Sequence, residues 1–495
     1  MRAVENNLPT PSWKVEESEG PQWTRARQNG PGVAPKQVQY PGILCHMTFP
    51  PEFREALKSF SVMAIEEIQH RIGQGARIYT RTVQVPVRLN PTTWNSEERE
   101  YPVWGMLLFE SRDKLSDSPE YRKCEQFMRE IPVVARHLDE LIWFGYGGGR
   151  FDVNNCLHGF IAHQLEGKTV LDFQEGRFGE SYDDLQTFFV KDEIEYETWV
   201  PVENLQCPET PVSITPTITV LRTPTELFET IFRIEETLYQ FDQVMKWESV
   251  LHLKWTGLKI IGGSPEKDEF KDVNKIAEEL LTALRLLKAE RVRAGPIATR
   301  PKRWTPMLPG VSYTSPLGSG LPFRPPQYVL AASDGDGVRK ILEQLAALNA
   351  DKFRSLALAL RRFNLSYDRH HPEDRLIDQM IAFEALYLSG DDRAEKSFRL
   401  ALRSSYFLEA GAQRKDVYRD MKCAYNLRSA IVHGGTASLP TINGTQMSMS
   451  NFADKIEEYL RRTLSKFLDL SQQPGATPIL VRWDDLLFPD TSARS

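Results

Sequence analysis

The chain has 495 residues, of which 41% are hydrophobic and 26% charged, with a formal charge of −6 at pH 7. That length accommodates two or three ordinary globular domains. The acidic balance excludes a broad non-specific nucleic-acid binder, so any RNA contact has to come from a local basic patch. No apolar run reaches the roughly 18 residues of a membrane span, and the stretch MRAVENNLPTPSW has no signal core. The five cysteines (Cys45, Cys124, Cys156, Cys207, Cys423) lie far apart with no Cys-x-x-Cys pair, which indicates neither a disulfide framework nor a zinc ribbon. A cytoplasmic protein with reduced thiols is expected.

Residues 1–50 are rich in Pro and Gly and read as an extended arm. Apolar residues at near-helical spacing predict a helix over 51–72, stopped by Gly73. Alternation and β-branching predict a strand over 77–89, with Pro86 placing it at an edge. A second strand is expected over 101–110, then a helix over 121–141 broken at Pro132. Short strands are expected at 151–161, 168–173, 188–190 and 198–202. Residues 51–215 therefore read as an α+β sensor or regulatory domain. The Pro/Thr-rich stretch 208–224 marks a boundary. Residues 216–326 read as a helical connector, with helices over 223–247 and 272–293 and a Pro/Gly-rich loop over 295–326. Residues 327–472 read as an all-α bundle, and 473–495 as a tail with an apolar clip at 479–487. The fold class expected is α+β, a mixed N-terminal region followed by a C-terminal helical bundle.

Several stretches carry chemistry in their letters. AHQLEGKT (162–169) matches the P-loop string, but a strand is expected after it rather than a helix, and Glu166 would face the phosphates. GYGGGR (145–150) is either an anion-binding loop or a turn. The most basic stretch, 285–303, is followed by Trp304. Arg291, Arg293, Arg300, Lys302 and Arg303 with that ring either grip an RNA strand by charge and stacking or form a solvated face running into a linker. His370 and His371 beside Glu373 and Asp374 read as a helix entry with Pro372 in its first turn, not as a metal site. Neither a metal nor a cofactor is expected.

QRKDVYRDMKCAYNLRSAIVHGG (413–435) reads as one helix closed by Gly434 and Gly435. On a 100° wheel, Val417, Tyr418, Met421, Ala424, Tyr425, Ile431 and Val432 share a face with Arg428 in its middle. His433 follows in the last turn, where the helix dipole favours a cation. A fixed cation and a titratable group thus sit about 7.5 Å apart along the axis. That pairing suits work on a phosphodiester, one group steadying anionic oxygens and the other moving a proton. The alternative is a snorkelling arginine and a histidine that merely caps. Glu384, on the core face of the helix over 374–388, needs a cationic partner, which Arg403 or Arg428 can supply. Arg399, one turn from Arg403, either lines a phosphate path or belongs to a solvated face.

RSAIVH (428–433), with Tyr425 before it and Gly434 after it, resembles the Arg-x4-His motif of the HEPN superfamily, and the wider run resembles its ApeA-like group. Residues 373–390 resemble that group's first core helix, 396–411 its second, and YNLRSAIVHGG closes the third, so the resemblance covers about 327–472. Many members carry Asn, Asp or His directly after the arginine, where this chain has Ser429. The resemblance implies a bundle that dimerises and a metal-independent endoribonuclease. In it Arg428 steadies the pentavalent phosphate and His433 transfers the proton. Glu384, Arg403, Tyr425 and Ser429 are supporting residues. The products would be a 2′,3′-cyclic phosphate and a 5′-hydroxyl. It further implies a latent enzyme in bacterial anti-phage defence or a toxin-like role, released by a phage or cellular trigger bound through the N-terminal region. Other members do no chemistry and bind RNA, a nucleotide or a partner protein; on that reading Arg428 is structural and His433 a cap.

Overall fold

The computed structural model describes residues 49–487, apart from 91–92, 145–146, 225–226, 228–246, 264–271, 307–311, 315–326, 389–394, 436–440 and 443–444. The expected arm over 1–48, most of the expected helix over 223–247 and much of the expected loop over 295–326 lie outside the described residues.

The first region runs α1 (Pro51–Gly73), β1 (Thr80–Asn90), β2 (Thr93–Pro102), α2 (Trp104–Glu110), α3 (Arg112–Ser116), α4 (Pro119–Glu130), α5 (Pro132–Ala135), β3 (Leu141–Phe144), β4 (Gly147–Arg150), α6 (Val153–Leu165) and α7 (Glu175–Val190). β1 and β2 pair as an antiparallel ribbon, and β3 pairs with β4. The core forms where Phe53, Leu57, Phe60 and Ile68 of α1 gather with the buried residues of α4, α6 and α7, Phe53 meeting Phe127 and Phe60 meeting Tyr121 of α4. Within it the rings of Phe151, Phe188 and Phe189 surround His137.

The next region holds β5 (Glu193–Glu203), β6 (Leu205–Gln206), β7 (Val212–Thr215), β8 (Ile218–Arg222), β9 (Ser249–Leu258), β10 (Ile260–Ile261), α8 (Val273–Leu287), β11 (Arg293–Ala294), β12 (Ile297–Pro301), β13 (Ser312–Thr314) and β14 (Tyr328–Val329), and is built on one large sheet. Its order is β13-β12-β5-β9-β8-β7, antiparallel throughout, with β11 also on β5. β10 adds to β3, and β14 pairs in parallel with β6. The alternation of Val200, Val202, Leu251 and Leu253 turns one face onto Ala277, Leu280, Leu281 and Leu284 of α8.

The rest is a helical bundle: a 3-10 turn (Ala332–Asp334), then α9 (Gly335–Ala346), α10 (Arg354–Tyr367), α11 (Pro372–Tyr387), α12 (Lys396–Leu408), α13 (Gln413–Val432), α14 (Met449–Ser471) and α15 (Trp483–Leu487). A two-residue-per-strand hairpin, β15 (Thr441–Ile442) with β16 (Thr445–Gln446), lies between α13 and α14. Leu376, Met380 and Phe383 of α11 meet Met421 and Ala424 of α13 and Ile456, Leu460 and Leu464 of α14. A polar seam joins bundle to sheet. Tyr367 donates to Glu457 at 2.8 Å, and Arg375 bridges Glu457 and Asp454 at 2.7 and 2.8 Å. Arg291, from the turn after α8, reaches the same Asp454 at 2.9 Å. Burial raises the Glu457 carboxyl above its ordinary value, with Arg375 opposing.

A mixed N-terminal region followed by a helical bundle is thus what the chain forms. Several individual expectations are corrected. The expected strand over 101–110 ends at Pro102 and continues as α2, because Trp104, Leu107 and Leu108 have helical spacing and are buried together. The expected strand over 151–161 is α6, started by Asp152, whose side chain accepts from the Asn155 N–H at 2.7 Å. The expected strand over 188–190 is the last turn of α7. Residues 168–173 form no strand. The expected helix over 272–293 ends at Leu287, and Arg293 lies in β11. The described part of 216–326 holds more strand than helix, and the Pro/Thr-rich joint folds as the β7–β8 hairpin of the sheet.

Candidate functional site

The site is built at the C-terminal end of α13. The helix closes with the Gly434 N–H on the Ile431 carbonyl at 3.2 Å and the Gly435 N–H on the Ala430 carbonyl at 2.9 Å. Gly434 takes φ +69°, a left-handed conformation that glycine adopts without strain. This is the Schellman arrangement. The two glycines and the backbone satisfy the terminal carbonyls, and the exposed His433 side chain sits on the C-cap residue at the helix end.

One turn back, Arg428 reaches across to α11. Its Nη2 lies 3.5 Å from Glu384 Oε1, and the two side chains are 23% and 24% exposed. The Nε of Arg428 and the Oε1 of Glu384 have no hydrogen-bond partner among the described residues. The pair is therefore a single long contact, not a bidentate clamp. Tyr425 stands beside it; burial raises its phenol above the ordinary value, and the Glu384 carboxylate adds to that while Arg428 opposes it. Ser429 is half-buried, and its carbonyl accepts the His433 N–H at 3.1 Å. The burial of α13 differs from the expected wheel. Val417, Asp420, Met421, Ala424 and Leu427 are buried, Arg428 flanks them, and Val432 is 51% exposed. Near its end the helix emerges from the bundle, which leaves the motif at the surface.

Arg403 is committed elsewhere. It donates to the Tyr387 carbonyl, the last of α11, at 2.5 Å, and its guanidinium lies 5.3 Å from the Trp483 ring centroid. Of the two cations expected to serve Glu384, Arg428 is the one that pairs with it. Arg399 is half-buried on α12.

The basic stretch is brought into the sheet rather than left as a helix face. Arg293 is buried against Glu203, and Arg291 pairs with Asp454. Arg300 lies 3.7 Å from Glu197 and over the Trp199 ring. Lys302 pairs with Glu195 at 2.8 Å, and Arg303 with Asp184 at 3.2 Å. Trp304 stacks on His163 at 5.5 Å between ring centroids and packs edge-on against Phe160. Each of these cations faces a carboxylate of its own chain.

The remaining sequence candidates are structural. Lys168 is buried, its Nζ donating to the Asp172 carbonyl at 2.9 Å, so the P-loop string makes a tied loop without a phosphate cradle. Residues 147–150 of the glycine loop are strand β4, where Arg150 donates to the Asp139 carbonyl at 3.1 Å. Residues 145–146 lie outside the described residues. Pro372 opens α11 with Glu373 and Asp374 in its first turn. Among the described residues no three His, Cys, Asp or Glu side chains converge as a metal site, and no described helix is long and apolar enough to cross a membrane.

The sequence reading did not single out Phe398 and Lys396 of α12 or Lys422 of α13, which are exposed, Phe398 and Lys422 beside Tyr418. Their signal was a local excess of Lys and Arg over 396–428. No protein-family model, curated protein or solved structure matches the chain.

Proposed function

We propose that the chain is a metal-independent endoribonuclease of HEPN type, resembling the ApeA-like group, held latent and released by a trigger bound through its N-terminal region. The observation that carries this is the end of α13. A guanidinium held by one 3.5 Å contact and an exposed imidazole share a helix terminus whose capping is done by glycines. Such a guanidinium keeps donors for phosphate oxygens, and such an imidazole keeps its nitrogens for proton transfer.

In the proposed reaction the 2′-oxygen of the RNA attacks the adjacent phosphorus, losing its proton to a base. The P–O5′ bond breaks, and the leaving 5′-oxygen takes a proton. The products are a 2′,3′-cyclic phosphate and a 5′-hydroxyl. Arg428 stabilises the extra charge on the pentavalent phosphorane, and His433 moves one of the protons. The two residues are about 140° apart around the helix, so two chains related by a two-fold axis complete one cleft. Glu384 sets the guanidinium, and Tyr425 walls the pair. The setting proposed is bacterial cytoplasm, in anti-phage defence or a toxin-like role.

A second reading is a non-catalytic module that binds RNA, a nucleotide or a partner protein. The Arg428–Glu384 contact favours it to the extent that the pair is structural. RNA cleavage in EDTA separates the two. The nuclease reading expects wild type to cut and both Arg428→Ala and His433→Ala, still folded, to be inactive. Cleavage that survives in either variant removes the assigned mechanism.

A further inference from the structure

The helix that carries the site and the helix before it have a local excess of positive charge. α12 and α13 hold eight Lys and Arg against two Asp, in a chain whose formal charge is −6. Part of that charge is absorbed. Arg403 and Arg414 turn to backbone carbonyls and rings, and Arg419 lies 2.9 Å from Asp416. Lys396 and Lys422 are exposed.

Rings stand among these lysines. The loop over 409–412 returns α13 along α12, so that Ser397 reaches Asn426 at 3.5 Å and the Phe398 ring meets Tyr418 edge-on at 6.2 Å. Phe398 is 45% exposed on this charged face. The Lys422 ammonium lies 6.0 Å from the Tyr418 ring centroid. Tyr418, Lys422, Tyr425, Ser429 and His433 follow at three- and four-residue spacing, which places them in one stripe along the helix. The stripe ends on the imidazole.

We propose that this face is a track for a single-stranded RNA. Bases stack on Phe398 and Tyr418, phosphates meet Lys396 and Lys422, and the strand is led to the Arg428–His433 end. A single strand fits because its base faces are open to stack on side-chain rings, whereas in a duplex they are covered. A polyanion fits the local excess of cations. A protein partner fits less well, since lysine is depleted from protein–protein interface cores. What happens at the end of the track rests on the nuclease reading, but the binding assigned here is independent of cleavage.

The test is fluorescence anisotropy of the full chain with a short 2′-O-methyl RNA, which lacks the attacking hydroxyl. Phe398→Ala is expected to weaken binding about five-fold or more, as loss of one stacked base does. Tyr418→Leu, which keeps apolar bulk against the bundle, should do the same. Lys422→Ala should flatten the salt dependence by about 0.7 in log–log slope. Lys302→Ala and Arg303→Ala, in the neutralised stretch, should change nothing. The proposal is overturned if wild type does not bind, if the duplex binds as tightly as the single strand, or if only the 302–303 variants weaken binding. It is also overturned if Phe398→Ala alters sedimentation while RNA binding is intact, because the ring then belongs to a protein interface. A chain that binds through this face and never cleaves keeps the track and loses the nuclease.

Discussion

Two stretches of this chain are rich in Lys and Arg, and they come to opposite ends. The stretch 285–303 carries seven cations, six of which are paired with carboxylates of the sheet, the bundle or the first region, while Arg285 is held by the Val292 carbonyl and Asn364. The α12–α13 hairpin carries eight and leaves lysines and a phenyl ring facing water. Linear charge density is the same signal in both. What differs is where the acids lie in space. A cation matched at about 3 Å contributes little field at a distance, whereas exposed lysines such as Lys396 and Lys422 attract a polyanion.

That contrast is open to challenge at several points. The extreme case is a basic group denied a counter-charge altogether. His137 is fully buried among rings, its Nδ1 within 2.9 Å of the Val133 carbonyl and its Nε2 without a partner among the described residues. Burial first, then the nearby Lys259 and Arg136 charges, push its imidazole down to about 3. The unfolded chain binds the proton more tightly, so this stability is present above pH 6.5 and lost as pH falls toward 3. The loss should be on the order of 4 kcal/mol, and His137→Phe should flatten that limb of a urea-denaturation pH profile.

Arg293→Ala strands the Glu203 carboxylate in a buried site and should cost about 3–5 kcal/mol by chemical denaturation. If it costs as little as a surface change, the neutralised stretch is not held as described. Arg428→Ala removes a long, part-exposed pair and should cost about 1 kcal/mol or less. A cost of several kcal/mol would make Arg428 structural and favour the non-catalytic reading. His433→Ala, exposed and without a capping duty, should move stability by no more than about 0.5 kcal/mol.

The helices of the bundle were legible because their apolar spacing is sustained over many residues and their ends carry Pro, Ser or Gly. The strands expected at 151–161 and 188–190 were misread because short aromatic runs suit a buried helix as well as a buried strand. Only the capping Asp152 and the i, i+3, i+4 recurrence of Val153, Cys156, Leu157, Phe160 and Ile161 separate them. The Arg428–His433 pair was legible as local spacing. The fate of the basic stretch was not, since Arg293 finds its acid 90 residues away, Lys302 107 and Arg303 119. Nor was the α12–α13 surface, because a charge counted over the whole chain hides a local excess.

The central claim is that the end of α13 cuts RNA through the RNA's own 2′-hydroxyl. The most direct measurement offers the full-length protein, in EDTA, an oligoribonucleotide and its copy with 2′-deoxy sugar at the cut position, and identifies the product ends by mass spectrometry. Cleavage with 2′,3′-cyclic phosphate and 5′-hydroxyl ends is expected, with none at the deoxy position and none by His433→Ala. Cleavage at the deoxy position, 3′-hydroxyl ends, or full activity in His433→Ala would contradict it.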